Sequence, residues 1–179
     1  MKEIRIAIIG TGSISHRHMK VWAHIPQVTV VAAAEIDAQK LEAWAQQYGI
    51  RHTYTDFREM LGRDDIDAVD VCVHNNLHAP ICIAVMKAGI HCYCEKPMSA
   101  SYNDSKRMLD CAKACGVKFA VQISSLFTEQ TRTGLRLIKD GALGNIYHAR
   151  SEIANYRRRP SVDGPFNRGT PDFMHKEIA

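Results

Sequence analysis

Lys96 stands between Glu95 and Pro97, directly after the short apolar run IHCYC of residues 90–94. A lysine ammonium in a cleft can stabilise the alkoxide that develops as hydride leaves a carbinol carbon, or exchange its proton with the hydroxyl if its pKa is lowered. Glu95 can bind ribose hydroxyls, and Pro97 fixes the backbone that carries both. On composition alone the same residues are an ordinary surface ion pair, which contributes little. The decision rests on whether a sheet edge delivers them to a cofactor cleft.

A second candidate lies at GTGSIS, residues 10–15, between the apolar run IRIAII and a helical stretch. That placement gives a glycine pattern meaning. Gly10 permits the tight turn, and Gly12 lets backbone N–H groups and the positive helix N-terminus approach a pyrophosphate. Ser15 stands where the fingerprint expects glycine or alanine, and serine is small enough for close helix packing. Glu35 closes the second strand where a ribose-binding acid is expected. Its carboxylate would repel a 2′-phosphate, and no Arg or Lys immediately follows, so NAD is expected rather than NADP. Asp37 reads as a helix cap. In HNNLHAP, residues 74–80, either Asn75 and His78 face a nicotinamide, or Asn75 and Asn76 make a turn and His78 begins the helix.

The elements that must position these residues alternate. Strands are expected at 4–9, 28–34, 52–54, 67–73, 90–94 and 117–122. Helices are expected from Gly12 to His24, Asp37 to Tyr48, Asp56 to Leu61, His78 to Gly89, Ser101 to Cys115 and Thr128 to Lys139. Strand and helix in turn, with strands apolar on both faces, predict an α/β fold of the Rossmann type: a doubly wound parallel sheet between helices. Residues 1–123 form this dinucleotide-binding domain. Residues 124–179 open an incomplete α+β substrate domain, with one strand over 146–156 and loop from 157 onward.

The composition excludes several classes. Among 179 residues the net charge is only +4, partly from Arg157, Arg158 and Arg159, which is no nucleic-acid footprint. Six cysteines sit on stretches that read as strands or helices, and their spacings match no zinc framework, so no metal is expected. A reducing, cytoplasmic location follows. The apolar run at the N-terminus is too short for a secretion signal, and no window approaches a membrane span.

Together IAIIGTGSISHRH, YTDFREML, DAVDVCVHNNLHAP, GIHCYCEKPMSAS and LGNIYHARSE resemble the Gfo/Idh/MocA oxidoreductase family over roughly the first 155 residues. The resemblance implies that Lys96 is the catalytic lysine, with Glu95 near the nicotinamide ribose and Pro97 often in a cis peptide. It implies that Asn75 and His78 flank the nicotinamide, and that Thr11, Ser13 and Ile14 give backbone contacts to phosphate. His18 matches a common histidine without an evident role. The implied activity is hydride transfer between NAD and a ring hydroxyl of a small sugar or cyclitol, in a protein that forms homo-oligomers when full length. Three departures stand out. His74 replaces the usual proline, QISSLF lacks an arginine before its phenylalanine, and the family's second-domain aspartate and histidine would fall beyond residue 179. The chain alone is therefore expected to bind cofactor with little or no turnover. The alternative is a dinucleotide-binding fragment or regulatory module without catalysis.

Overall fold

A computed structural model describes residues 3–150. Strands β1 (Ile4–Ile9), β2 (Val28–Ala34), β3 (His52–Tyr54), β4 (Ala68–Val71), β5 (His91–Cys94) and β6 (Phe119–Val121) form one sheet in the order β3-β2-β1-β4-β5-β6. Every pairing is parallel. That order requires a helix after nearly every strand: α1 (Ser13–Trp22), α2 (Ala38–Tyr48), α3 (Phe57–Met60), α4 (Asn75–Lys87) and α5 (Tyr102–Cys115). The Rossmann-type expectation is met.

Alternation along each strand divides the core. Ile8 and Ala33 pack with Met19 of α1 and with Leu41 and Trp44 of α2. Ile9, Val69 and Val71 pack on the opposite face with Met60 of α3, Val85 and Met86 of α4, and Met108 of α5. Both sheet faces are thus covered, which is why the strands read as apolar runs.

The register sets the site. Ile9 pairs with Ala34 and Val71, and Val71 with Cys94. The next residue of each strand therefore falls in one row at the carboxyl edge: Gly10, Glu35, Cys72 and Glu95. Backbone bonds Gly10 N–H to Ala34 O (2.8 Å), Cys72 N–H to Ile9 O (2.7 Å) and Glu95 N–H to Val71 O (3.0 Å) tie this row together. In such sheets ligands bind where strand order reverses, here between β1 and β4.

Two elements differ from expectation. Helix α4 starts at Asn75, three residues before His78, because His74 is the extended N-cap residue and Pro80 sits inside the helix rather than at its first position. The two asparagines are thus helical and do not form a separate turn. Of the strand expected over 146–156, residues 146–150 do not form strand. Its remainder, the expected loop from 157 and Arg157–Arg159 lie outside the described residues.

The described chain divides into two compact units at Gln122 and Ile123. In the second, a 3-10 turn (Ser124–Phe127) precedes α6 (Glu129–Lys139), which Thr128 caps by accepting from the Thr131 N–H.

Candidate active site at the carboxyl edge of the sheet

The turn after β1 is possible only with glycine at its first position. Gly10 has φ +91°, and a Cβ there would lie 2.7 Å from the Cys72 carbonyl oxygen. Gly12 differs: its φ is −71°, and a Cβ would meet nothing within 4 Å. Its value is the open space beside it. Gly12 is the N-cap residue of α1, and no side chain caps that helix. The first-turn amides at Ser13 and Ile14 are where a helix leaves donors for an anion.

Ser15 does more than fit. Fully buried, its hydroxyl donates to Gly12 O (2.6 Å) and accepts from the Trp44 indole N–H (2.9 Å), tying the loop to α2. Thr11, also buried, donates its N–H and its hydroxyl to Glu35 Oε2 at 2.9 and 3.2 Å. Lys40, one turn into α2, reaches the same oxygen at 3.4 Å. Proximity in sequence did not reveal this lysine. Burial pushes the Glu35 carboxyl up, but the Thr11 amide and Lys40 outweigh it and hold the group below the usual range.

On the other side of the crevice, Asn75 opens α4, again without a side-chain cap. His78 is 0% exposed, and its ring nitrogens face Pro97 O (2.7 Å) and Val73 O (3.2 Å). Carbonyl oxygens only accept, so a ring nitrogen that carries a proton donates it to the carbonyl it faces. Burial lowers its pKa, yet Cys94 and these two carbonyls raise it on balance. His78 thus belongs to this edge through the backbone it holds.

Glu95 and Lys96 follow β5 at the same edge. Lys96 is exposed, and the Lys96–Pro97 bond is cis. The Lys96 N–H donates to Glu95 Oε2 (2.8 Å), while Glu95 Oε1 meets His18 Nε2 at 3.1 Å. Burial pushes the Glu95 carboxyl up; His18 and the Lys96 amide outweigh it and leave it below its usual value.

His18 leads to a buried cluster that spacing alone did not show. Its Nδ1 lies 2.8 Å from Asp70 Oδ2, which also accepts from the Trp22 indole N–H at 2.7 Å. Burial lowers the His18 pKa, but Asp70 and Glu95 raise it to about 9. Among the described residues, His18, Asp70 and Cys72 bring three donor atoms within 4.8 Å of one another. Burial and the Asp70 carboxylate push the Cys72 thiol well up, and its Sγ lies 3.5 Å from Asp70 Oδ1. The cluster is an ion pair with a thiol beside it.

This fold and edge define a dinucleotide-binding Rossmann domain. The chain belongs to the Gfo/Idh/MocA oxidoreductase family, described as having an NAD-binding Rossmann fold, which it matches over residues 4–123. It is 27% identical to D-apiose dehydrogenase of Paraburkholderia graminis over 150 residues, 84% of this chain and 40% of that protein. It is 28% identical to myo-inositol 2-dehydrogenase of Thermotoga maritima over 141 residues, 79% of this chain and 42% of that protein. The WlbA dehydrogenase of Bordetella pertussis, solved in complex with NADH and UDP-GlcNAcA, superimposes with a TM-score of 0.77 at 27% identity, covering 82% of this chain and 45% of that one. The chain thus spans about two fifths of the length of the curated relatives it matches. No helix among the described residues is long and apolar enough to cross a membrane.

Proposed function

We propose that this chain is the cofactor-holding part of an NAD-dependent oxidoreductase acting on a ring hydroxyl of a sugar or cyclitol. The observation that carries the reading is the aligned row at the carboxyl edge: the Gly10 turn, the uncapped start of α1, the Glu35 carboxylate and the Glu95–Lys96 pair sit on neighbouring strands. The relatives' names, D-apiose dehydrogenase and myo-inositol 2-dehydrogenase, support the substrate class.

The residues fit the dinucleotide. The space beside Gly12 leaves room for a pyrophosphate, which the amides of Ser13 and Ile14 would meet; the Thr11 N–H and hydroxyl are given to Glu35 instead. Glu35, held ionised, would accept the adenosine ribose hydroxyls and repel a 2′-phosphate, and the nearest cation, Lys40, is already paired with it. Asn75, Glu95 and Pro97 would frame the nicotinamide end; His78, fully buried, would not flank it and instead holds the Val73 and Pro97 carbonyls. When bound, the nicotinamide supplies a site that takes or gives hydride. Lys96 then moves the hydroxyl proton, as acid or base according to direction.

The test is titration of the chain with NADH, followed by a panel of sugars and cyclitols with NAD on the wild type and Lys96→Ala. Lys96→Ala should lower turnover by roughly 10²–10⁴-fold, with NADH affinity within a few-fold of wild type. Equal turnover in both removes Lys96 from the chemistry. Binding with no turnover in either assigns the chain to the dinucleotide-binding module.

A further inference from the structure

Helix α1 has two ends with different tasks. Its start faces the glycine turn; His18, in the second turn, is 7% exposed and points between two strands, to Asp70 in the middle of the sheet and to Glu95 past its edge. Asp70 is 1% exposed, paired in register with Ile8 and Tyr93. An acid so placed is costly unless its partners are well made.

The hydrogen bonds fix where the proton sits. Asp70 Oδ2 accepts from the Trp22 N–H, and Glu95 Oε2 accepts from the Lys96 N–H. His18 Nδ1 faces the Asp70 carboxylate at 2.8 Å, and Nε2 faces Glu95 Oε1 at 3.1 Å. Both ring nitrogens therefore meet acceptors and both must donate, which only the imidazolium does. A neutral ring would turn one lone pair toward a carboxylate oxygen.

We propose that His18, charged and anchored by Asp70, is the positioning residue that aims the Glu95 carboxylate, and with it the Lys96 backbone, at the nicotinamide ribose. One oxygen of Glu95 is held by the imidazolium and the other by the Lys96 amide, so the side chain has no freedom to rotate away from the cleft. The same helix thus meets the pyrophosphate at one end and sets the ribose acceptor from its second turn. The inference rests on the dinucleotide reading above and adds to it a role for a residue in contact with neither cofactor nor substrate.

The test uses three probes on the full chain: ADP, which lacks the nicotinamide ribose, ADP-ribose, which has it, and NADH. His18→Asn should weaken ADP-ribose and NADH about tenfold or more, the size of one charge-assisted hydrogen bond, and leave ADP unchanged. Asp70→Asn should move the same way. A parallel loss for all three probes, or no loss for any, overturns the inference by showing a merely structural role or none. A wild-type chain that binds none of the probes overturns the dinucleotide reading, and this one with it.

A second measurement needs no variant that folds. The groups facing His18 are Asp70 and Cys72 at β4 and Tyr93 and Glu95 at β5, with the Trp22 indole of α1 donating to Asp70. Ring nitrogen NMR of the wild type should show both His18 nitrogens protonated at pH 7.5 and a titration near about 9. ADP-ribose affinity should fall as pH rises through that value. A neutral His18 ring at pH 7.5 overturns the inference.

Discussion

The helices of this chain begin in two ways. α2 starts under Asp37, whose carboxylate accepts the Lys40 N–H at 3.1 Å, and α5 starts under Ser101, whose hydroxyl accepts the Asp104 N–H at 3.1 Å. α1 and α4 start at Gly12 and His74 with no side-chain cap. The uncapped pair follow β1 and β4, the neighbouring strands at which the sheet order reverses. A capped start satisfies a helix by itself, whereas an open one leaves donors and positive potential for something that arrives from solution. The two kinds of start separate the scaffold from the site.

The largest effect expected on this contrast comes from Gly10→Ala. The new methyl would overlap the Cys72 carbonyl oxygen at 2.7 Å in a backbone with φ +91°, so urea unfolding should show a loss of about 3 kcal/mol or more, with NADH binding lost alongside. Because Cys72 is backbone at this contact, no side-chain rearrangement relieves it. Gly12→Asp should act in the opposite sense on stability. Its side chain enters open space and can cap α1, so stability should hold or rise by a few tenths of a kcal/mol. NADH affinity should nevertheless fall more than about tenfold, since the carboxylate takes the place of the phosphate and repels it. If Gly12→Asp bound NADH as wild type does, the contrast between open and capped starts would be broken. The smallest effect belongs to Ser101→Ala, which should lower stability by about 1 kcal/mol in the same unfolding assay and leave NADH affinity unchanged.

Much of the scaffold was legible from neighbouring residues. The runs at 4–9 and 28–34 became β1 and β2 with the expected bounds, and Asp37 and Gly49 bracket α2 as cap and stop, Gly49 with φ +69°. Each of these signals depends on residues within a turn or two of one another. Helix α4 starts three residues before the expected His78, because its cap, His74, offers no side-chain signal. Ser15 is small enough for the turn, but no local pattern shows that its hydroxyl joins Gly12 to Trp44, 29 positions further along.

The sequence by itself determined the alternation of strand and helix, the glycine turn and the lysine placed before proline, since these follow from periodicity, capping and backbone freedom. Only the tertiary structure decided that His18 lies between Asp70 and Glu95, 52 and 77 positions further along the chain. The cause is the strand order. Placing β4 beside β1 and β5 beside β4 brings a buried acid and an edge acid to either side of one imidazole, a meeting that no local pattern encodes.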